Sequence, residues 1–300
     1  MMSLYQEVRQ ALAELPVKPS KRYGQHFLIH RNVLDSIVDL LELGSDDEIL
    51  EIGPGLGFLT RSLVGPARNV WAVEVDPHLV DYLQKSSWEG SPRLHLIHGD
   101  ILDVDLNAIL PQRKIKLAGN LPYNIAAPVL FRLIEERDRF SLMVLMLQKE
   151  MAERIRARPG TKAFGSLSVW WQVHGEILGR IPVSPEAFFP RPKVQSMILK
   201  LRFFSRPLAP ARDLYFLRKI IGAAFRQRRK TLGNSLEELF PRGKKEAETF
   251  LRNNEIDPRR RGETLGVSEF LRLAQALALK DPDDSGDERA PGTEAVKQFR

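Results

Sequence analysis

Short apolar runs and stretches of helical spacing alternate along the first half of this chain. The runs at 48–50, 70–76, 94–100, 116–119 and 142–147 have the length and content of strands buried on both faces. Between and beside them, residues 33–43, 58–64 and 127–135 place apolar side chains three and four apart, as amphipathic helices do. Such alternation predicts an α/β fold with a mostly parallel sheet. A leading helix is expected over 4–15, ended by Pro16, and a charged helix over 149–158. Strand-like segments follow at 167–173 and 197–203. Composition changes around Ser205-Arg206-Pro207, and beyond it the spacing is helical at 212–229, 232–240, 244–253 and 267–279. The division this implies is an N-terminal helical extension (1–20), an α/β domain (21–205), a small all-helical domain (206–280) and a disordered acidic tail (281–300).

The loop after the first main strand carries the most information. Glu51-Ile52-Gly53-Pro54-Gly55-Leu56-Gly57 joins a strand to a helix, and glycines there let backbone approach a ligand that side chains would block. A dinucleotide fingerprint counted from Gly53 needs glycine at 58, where the chain has Phe58. The pattern is E-x-G-x-G-x-G, which resembles the first motif of class I S-adenosylmethionine-dependent methyltransferases. Gly53 and Gly55 are the cradle candidates. Glu74, at the end of the next strand, stands where an acid reaches ribose hydroxyls, and Asp76 beside Pro77 reads as a helix N-cap. Asp100 ends the following strand; it is a candidate acceptor for the cofactor's adenine amine, with a plain turn residue as the alternative.

Asn120-Leu121-Pro122-Tyr123 ends the fourth strand and matches what methylation of an exocyclic amine requires. The Asn120 amide oxygen and the Leu121 carbonyl can accept the amine hydrogens while Tyr123 stacks on the base. Farther on, Phe188-Phe189-Pro190-Arg191-Pro192-Lys193 is a stiff extended segment. It can hold Phe189 against a flipped base with Arg191 and Lys193 near phosphates; a rigid loop explains the prolines equally well. Arg226, Arg228, Arg229 and Lys230 form a basic run, solvated by default and a phosphate track if RNA is the partner.

The formal charge of +7 over 300 residues favours a polyanionic partner without naming one. Cysteine is absent, which excludes disulfides, thiolate nucleophiles and cysteine-held metals. No other metal site is expected, since His26 and His30 lack a third ligand. No apolar run is long enough to span a bilayer, and the N-terminus lacks the features of an export or transit segment, so a cytoplasmic protein is expected.

Together these motifs, with Gly24-Gln25-His26-Phe27-Leu28 and Arg228-Arg229-Lys230-Thr231-Leu232, closely resemble the ribosomal RNA adenine dimethyltransferases, in particular the small-subunit branch. The resemblance implies a Rossmann-like catalytic domain that uses S-adenosyl-L-methionine to dimethylate two adjacent adenosines in the 3′-terminal hairpin of 16S rRNA. It also implies a part in late small-subunit biogenesis, with the small ribosomal subunit as partner and no protein partner for a monomeric enzyme. By motif match, His26 and Leu28 would contact the cofactor, Gly53 its methionine part, Glu74 the ribose and Asp100 the adenine, and Asn120 would border both cofactor and target. The family usually carries Asn at the position of His26, where imidazole can donate or accept a single hydrogen bond.

Overall fold

The computed structural model describes residues 2–16, 18–20, 23–86, 91–122 and 124–280. Tyr123 and the expected tail at 281–300 lie outside them. The helices are α1 (Leu4–Glu14), α2 (Arg31–Leu41), α3 (Phe58–Val64), α4 (Pro77–Gln84), α5 (Leu106–Ile109), α6 (Ala126–Glu135), α7 (Lys149–Ile155), α8 (Ser166–His174), α9 (Ala211–Arg226), α10 (Leu232–Ser235), α11 (Lys244–Asn253) and α12 (Val267–Lys280). The strands are β1 (Phe27–Leu28), β2 (Glu48–Ile52), β3 (Asn69–Glu74), β4 (Leu94–His98), β5 (Ile115–Asn120), β6 (Phe140–Gln148), β7 (Gly175–Val183), β8 (Phe188–Phe189) and β9 (Ser196–Phe203). Among the described residues they fall into two units, the first holding residues up to Ala152 with Ile177–Phe203, the second Glu153–Glu176 with Phe204 to Lys280.

In the first unit the main sheet runs β4-β3-β2-β5-β6-β9-β7. Strands β4 to β6 are parallel and β9 is antiparallel to β6. Every residue of β2 is buried, as expected for a central strand covered on both faces. Strand order reverses at β2, which opens a crevice at the carboxyl edge. Register sets Ile52 beside both Val73 and Gly119, and Glu74 beside His98, so the glycine loop, Glu74, Asp100 and Asn120 reach the same edge.

A second, two-residue ladder pairs Phe27 with Phe189 and Leu28 with Phe188. The Ile29 N–H extends it by donating to the Ala187 carbonyl at 2.8 Å. This ladder joins the Gly24–Leu28 motif to the proline-rich segment.

The structure corrects the domain reading in two places. Helix α1 is no separate extension: Leu4 packs with Leu28, Leu34 and Phe188, and Val8 and Ala11 pack with Phe27, Leu56 and Leu79. A helix of eleven residues is marginal alone, so its apolar stripe needs that surface. The Glu7 carboxylate pins it further, reaching Arg31 at 3.1 Å and Arg61 at 2.9 Å. The second correction concerns 153–176, which belong to the helical unit and not to the α/β unit. Residues 167–173, expected as a strand from their aromatic and β-branched content, form helix α8 instead. Its Val169 and Val173 enter the core built by Phe216, Ile220, Phe250 and Phe270. Burial there overrides local propensity. Ser168 Oγ anchors the helix start, accepting from Gly165 N at 3.0 Å and donating to the Arg154 carbonyl at 2.6 Å.

Candidate active site

The crevice holds a cavity lined by His26, Leu28, Gly53, Gly55, Glu74, Asp100 and Asn120, all expected there, together with Glu51. Gly53 and Gly55 have φ of +68° and +61°, a region that side chains strain to enter. At Gly55 a Cβ would also meet the Phe27 ring at 3.2 Å, whereas Gly53 opens onto free space. The loop is held from behind: Gly53 N donates to the Val73 carbonyl at 2.9 Å and Gly55 N to Glu74 Oε2 at 3.0 Å.

Glu74 is buried and also accepts from the N–H groups of Val75 and Asp76, each at 2.9 Å. Burial raises its pKa, against the pull of those backbone donors. Asp76 is the N-cap of α4, accepting from His78 N at 3.0 Å, and Gln25 Nε2 donates to its other oxygen at 2.6 Å. Asp100 Oδ1 accepts from Leu102 N at 2.9 Å, and its Oδ2 takes no hydrogen bond from the described residues. The loop after Asp100 is gripped by Arg132, whose guanidinium donates to the Ile101 and Val104 carbonyls. Burial lowers the Arg132 pKa.

Asn120 is oriented by its neighbour. Its Nδ2 donates to the backbone carbonyl of His26 at 3.0 Å, which leaves Oδ1 as a directed acceptor. The contact is made by main chain, so it is indifferent to His replacing the usual Asn at 26. The His26 ring turns elsewhere, with Nδ1 at 2.6 Å from the Pro190 carbonyl, and that ring nitrogen carries the proton. Leu121 has a buried side chain, and its N–H donates to the Met146 carbonyl at 3.0 Å, fixing the turn that presents its own carbonyl.

Phe189 stands outside the cavity lining and is joined to it through its ladder partner Phe27. Of the cations expected on RNA, Arg191 pairs with Glu186 and Arg226 with Glu238. Arg228 is exposed and also braces the chain: its Nη2 donates to the Lys162 and Phe164 carbonyls at 2.9 and 2.6 Å. Lys193, Arg229 and Lys230 are exposed, and none forms an ion pair within the described residues. Arg228→Ala is therefore expected to destabilise the protein by about 1–2 kcal/mol, while Arg229→Ala stays within about 0.5 kcal/mol, as denaturant titration of both will reveal.

Glu51 was missed as a functional side chain. It is 1% exposed, its Oε2 has no hydrogen-bond partner, and it borders the cavity. Burial pushes its pKa up to about 8, with the Thr60 hydroxyl pulling down and the Glu74 charge adding to the rise. The signal in the sequence is a carboxylate between Leu50 and Ile52 in a central strand buried along its whole length. A proton held by the folded state up to pH 8 stabilises it fully below the unfolded pKa near 4.5, and that stabilisation is lost as pH rises through the interval. The unliganded protein should lose up to roughly 1.4 kcal/mol per pH unit there, and Glu51→Gln should flatten the slope in denaturation series from pH 5 to 8.

Glu51, Glu74 and Asp100 all face the cavity, and no Lys or Arg of the described residues lines it. Glu51 adds no charge below about pH 8, but Asp100 suits a cationic adenosyl ligand, and with no cation among the described lining residues a pyrophosphate would stand unneutralised. The orphaned Glu51 oxygen and the open face of Gly53 fit S-adenosylmethionine. Fold and site define a Rossmann-like class I methyltransferase. A family model, ribosomal RNA adenine dimethylase, matches residues 17–276, and the chain belongs to that family.

Relatives include the ribosomal RNA small subunit methyltransferase A of Geobacter metallireducens, 42% identical over 87% of this chain and 96% of its own. The protein of that name from Clostridium botulinum is 39% identical over 87% and 94%. Among solved structures, a dimethyladenosine transferase from Plasmodium falciparum superposes with a TM-score of 0.70 at 26% identity, covering 86% of this chain and 98% of that one. The 23S rRNA methyltransferase ErmE does so with 0.62 at 27%, covering 84% and 99%. No helix among the described residues is long and apolar enough to cross a membrane.

Proposed function

We propose that this protein dimethylates the exocyclic amines of two adjacent adenosines in the 3′-terminal hairpin of 16S rRNA, using S-adenosyl-L-methionine, as a cytoplasmic monomer acting late in small-subunit assembly. The observation that carries the chemistry is the oriented Asn120 amide at the cavity wall, whose Nδ2 is spent on the His26 carbonyl so that Oδ1 is left as the acceptor. The relatives named for the small subunit support the target.

Glu74 would hold the cofactor's ribose, Asp100 its adenine amine and Gly53 the methionine part, with His26 and Leu28 closing the site. S-adenosylmethionine, when bound, supplies an electrophilic methyl group. The chain supplies position and polarity. Adenine's amine lone pair is delocalised into the ring; Asn120 Oδ1 and the Leu121 carbonyl, by accepting the two N–H hydrogens, draw electron density back onto nitrogen. Tyr123 and Phe189 would hold the flipped base by stacking. No strong base is needed, because the proton of the alkylated amine is acidic and leaves to water.

Transfer of labelled methyl groups to unmodified small subunits, followed by nuclease digestion and base mapping, tests this. Dimethyladenosine in the 3′-terminal hairpin is the expected product. Label confined to large-subunit RNA would overturn the target, and no label on either subunit would overturn the chemistry.

A further inference from the structure

We propose that Tyr5 and Arg9 on α1 form a subsite for the nucleotide flanking the adenosine held at Phe189, an inference that rests on the target-base role given to Phe189 above. The Tyr5 ring meets the Phe189 ring edge-on, with centroids 5.9 Å apart at 74°. The Arg9 guanidinium lies 5.7 Å from the centroid of the same ring and donates to the Tyr5 hydroxyl at 3.4 Å.

Packing does not account for either side chain. The buried residues of α1 are Leu4, Val8 and Ala11, whereas Tyr5 is 41% exposed and Arg9 is exposed. Arg9 forms no ion pair with any described residue. The acid nearest in sequence, Glu7, is spent on Arg31 and Arg61. That double bridge fixes the rotation of α1 and so presents Tyr5 and Arg9 beside Phe189.

An exposed aromatic next to an unpaired guanidinium is what single-stranded nucleic acid selects: every base has a face to stack, and the cation takes a phosphate. Adjacent nucleotides share one phosphate. A base turned onto Phe189 therefore brings its neighbour within one backbone step of Tyr5 and Arg9. For a substrate whose two adenosines are adjacent, each becomes the flanking nucleotide while the other is modified.

The test uses the full chain, unmodified small subunits and S-adenosylmethionine, with Tyr5→Ala, Arg9→Gln and Phe189→Ala compared side by side. Tyr5→Ala and Arg9→Gln should each raise KM for subunits roughly tenfold while cofactor affinity and Tm hold. Arg9→Gln should also make the slope of log affinity against log salt shallower by roughly 0.7. If Tm falls, Tyr5→Phe and Arg9→Lys, which keep ring and charge, should restore KM; failure of both to do so overturns the subsite. Unchanged KM and salt slope alongside a defective Phe189→Ala overturn it as well, and faster transfer by the α1 variants would make the helix a cover instead. Unimpaired transfer by Phe189→Ala overturns the target-base role itself.

Discussion

Replacing Asn120 with alanine is expected to cut methyl transfer by roughly 100- to 1,000-fold, about 3–4 kcal/mol of transition-state stabilisation, while cofactor affinity changes by less than about threefold. The side chain makes one internal hydrogen bond, to the His26 carbonyl, and that bond serves to aim the oxygen. Alanine removes the aimed acceptor and leaves Glu74 and Asp100, the groups assigned to the nucleoside, untouched. Asn120→Asp is a sharper variant of the experiment: a carboxylate cannot donate to His26 O, so the acceptor loses its orientation although oxygen remains. Single-turnover transfer and calorimetric titration of the cofactor, run on the same preparations, separate the two effects. Equal loss of both would make Asn120 a structural residue.

Glu74→Gln carries the second large effect, a loss of cofactor affinity of at least about 100-fold, near 3 kcal/mol. The carboxylate takes N–H donors on both oxygens, Gly55 on one and Val75 with Asp76 on the other. An amide has one oxygen; its NH₂ would face either Gly55 N–H or the Val75 and Asp76 pair, donor against donor. The glycine loop then loses its rear support, and the ribose its proposed acceptor. Titration with S-adenosylhomocysteine measures the loss without turnover. Affinity within threefold of the parent would remove Glu74 from the ribose site. Glu74→Asp, a side chain one methylene shorter, should lose less than the amide if charge matters more than reach.

Much of this architecture was legible because its signals are local. The glycine loop, the acids at 74 and 100 and the Asn120 turn each announce themselves within a few residues, and parallel strands ending at one edge gather them without further instruction. Helix α8 was misread because Leu167 to Val173 carries strand-forming residues, and only the core around Phe216 and Phe270 decides that they wind into a helix. The bracing contact of Arg228 was illegible for a related reason. A basic run in sequence does not reveal which guanidinium is spent on carbonyls more than sixty residues away.

The sequence by itself determined the class of fold and marked the glycine loop and the Asn120 turn as the candidate cradle and acceptor, since these depend on residue type and spacing over a dozen residues or fewer. Tertiary structure alone decided that Gly24–Leu28 and Phe188–Pro190 share a ladder, that a main-chain carbonyl at 26 aims Asn120, and that α1 brings Tyr5 and Arg9 to Phe189. Those pairings join positions tens to nearly two hundred residues apart. Their partners are selected by packing and hydrogen-bond geometry in the folded chain, and neither leaves a periodic trace in the sequence.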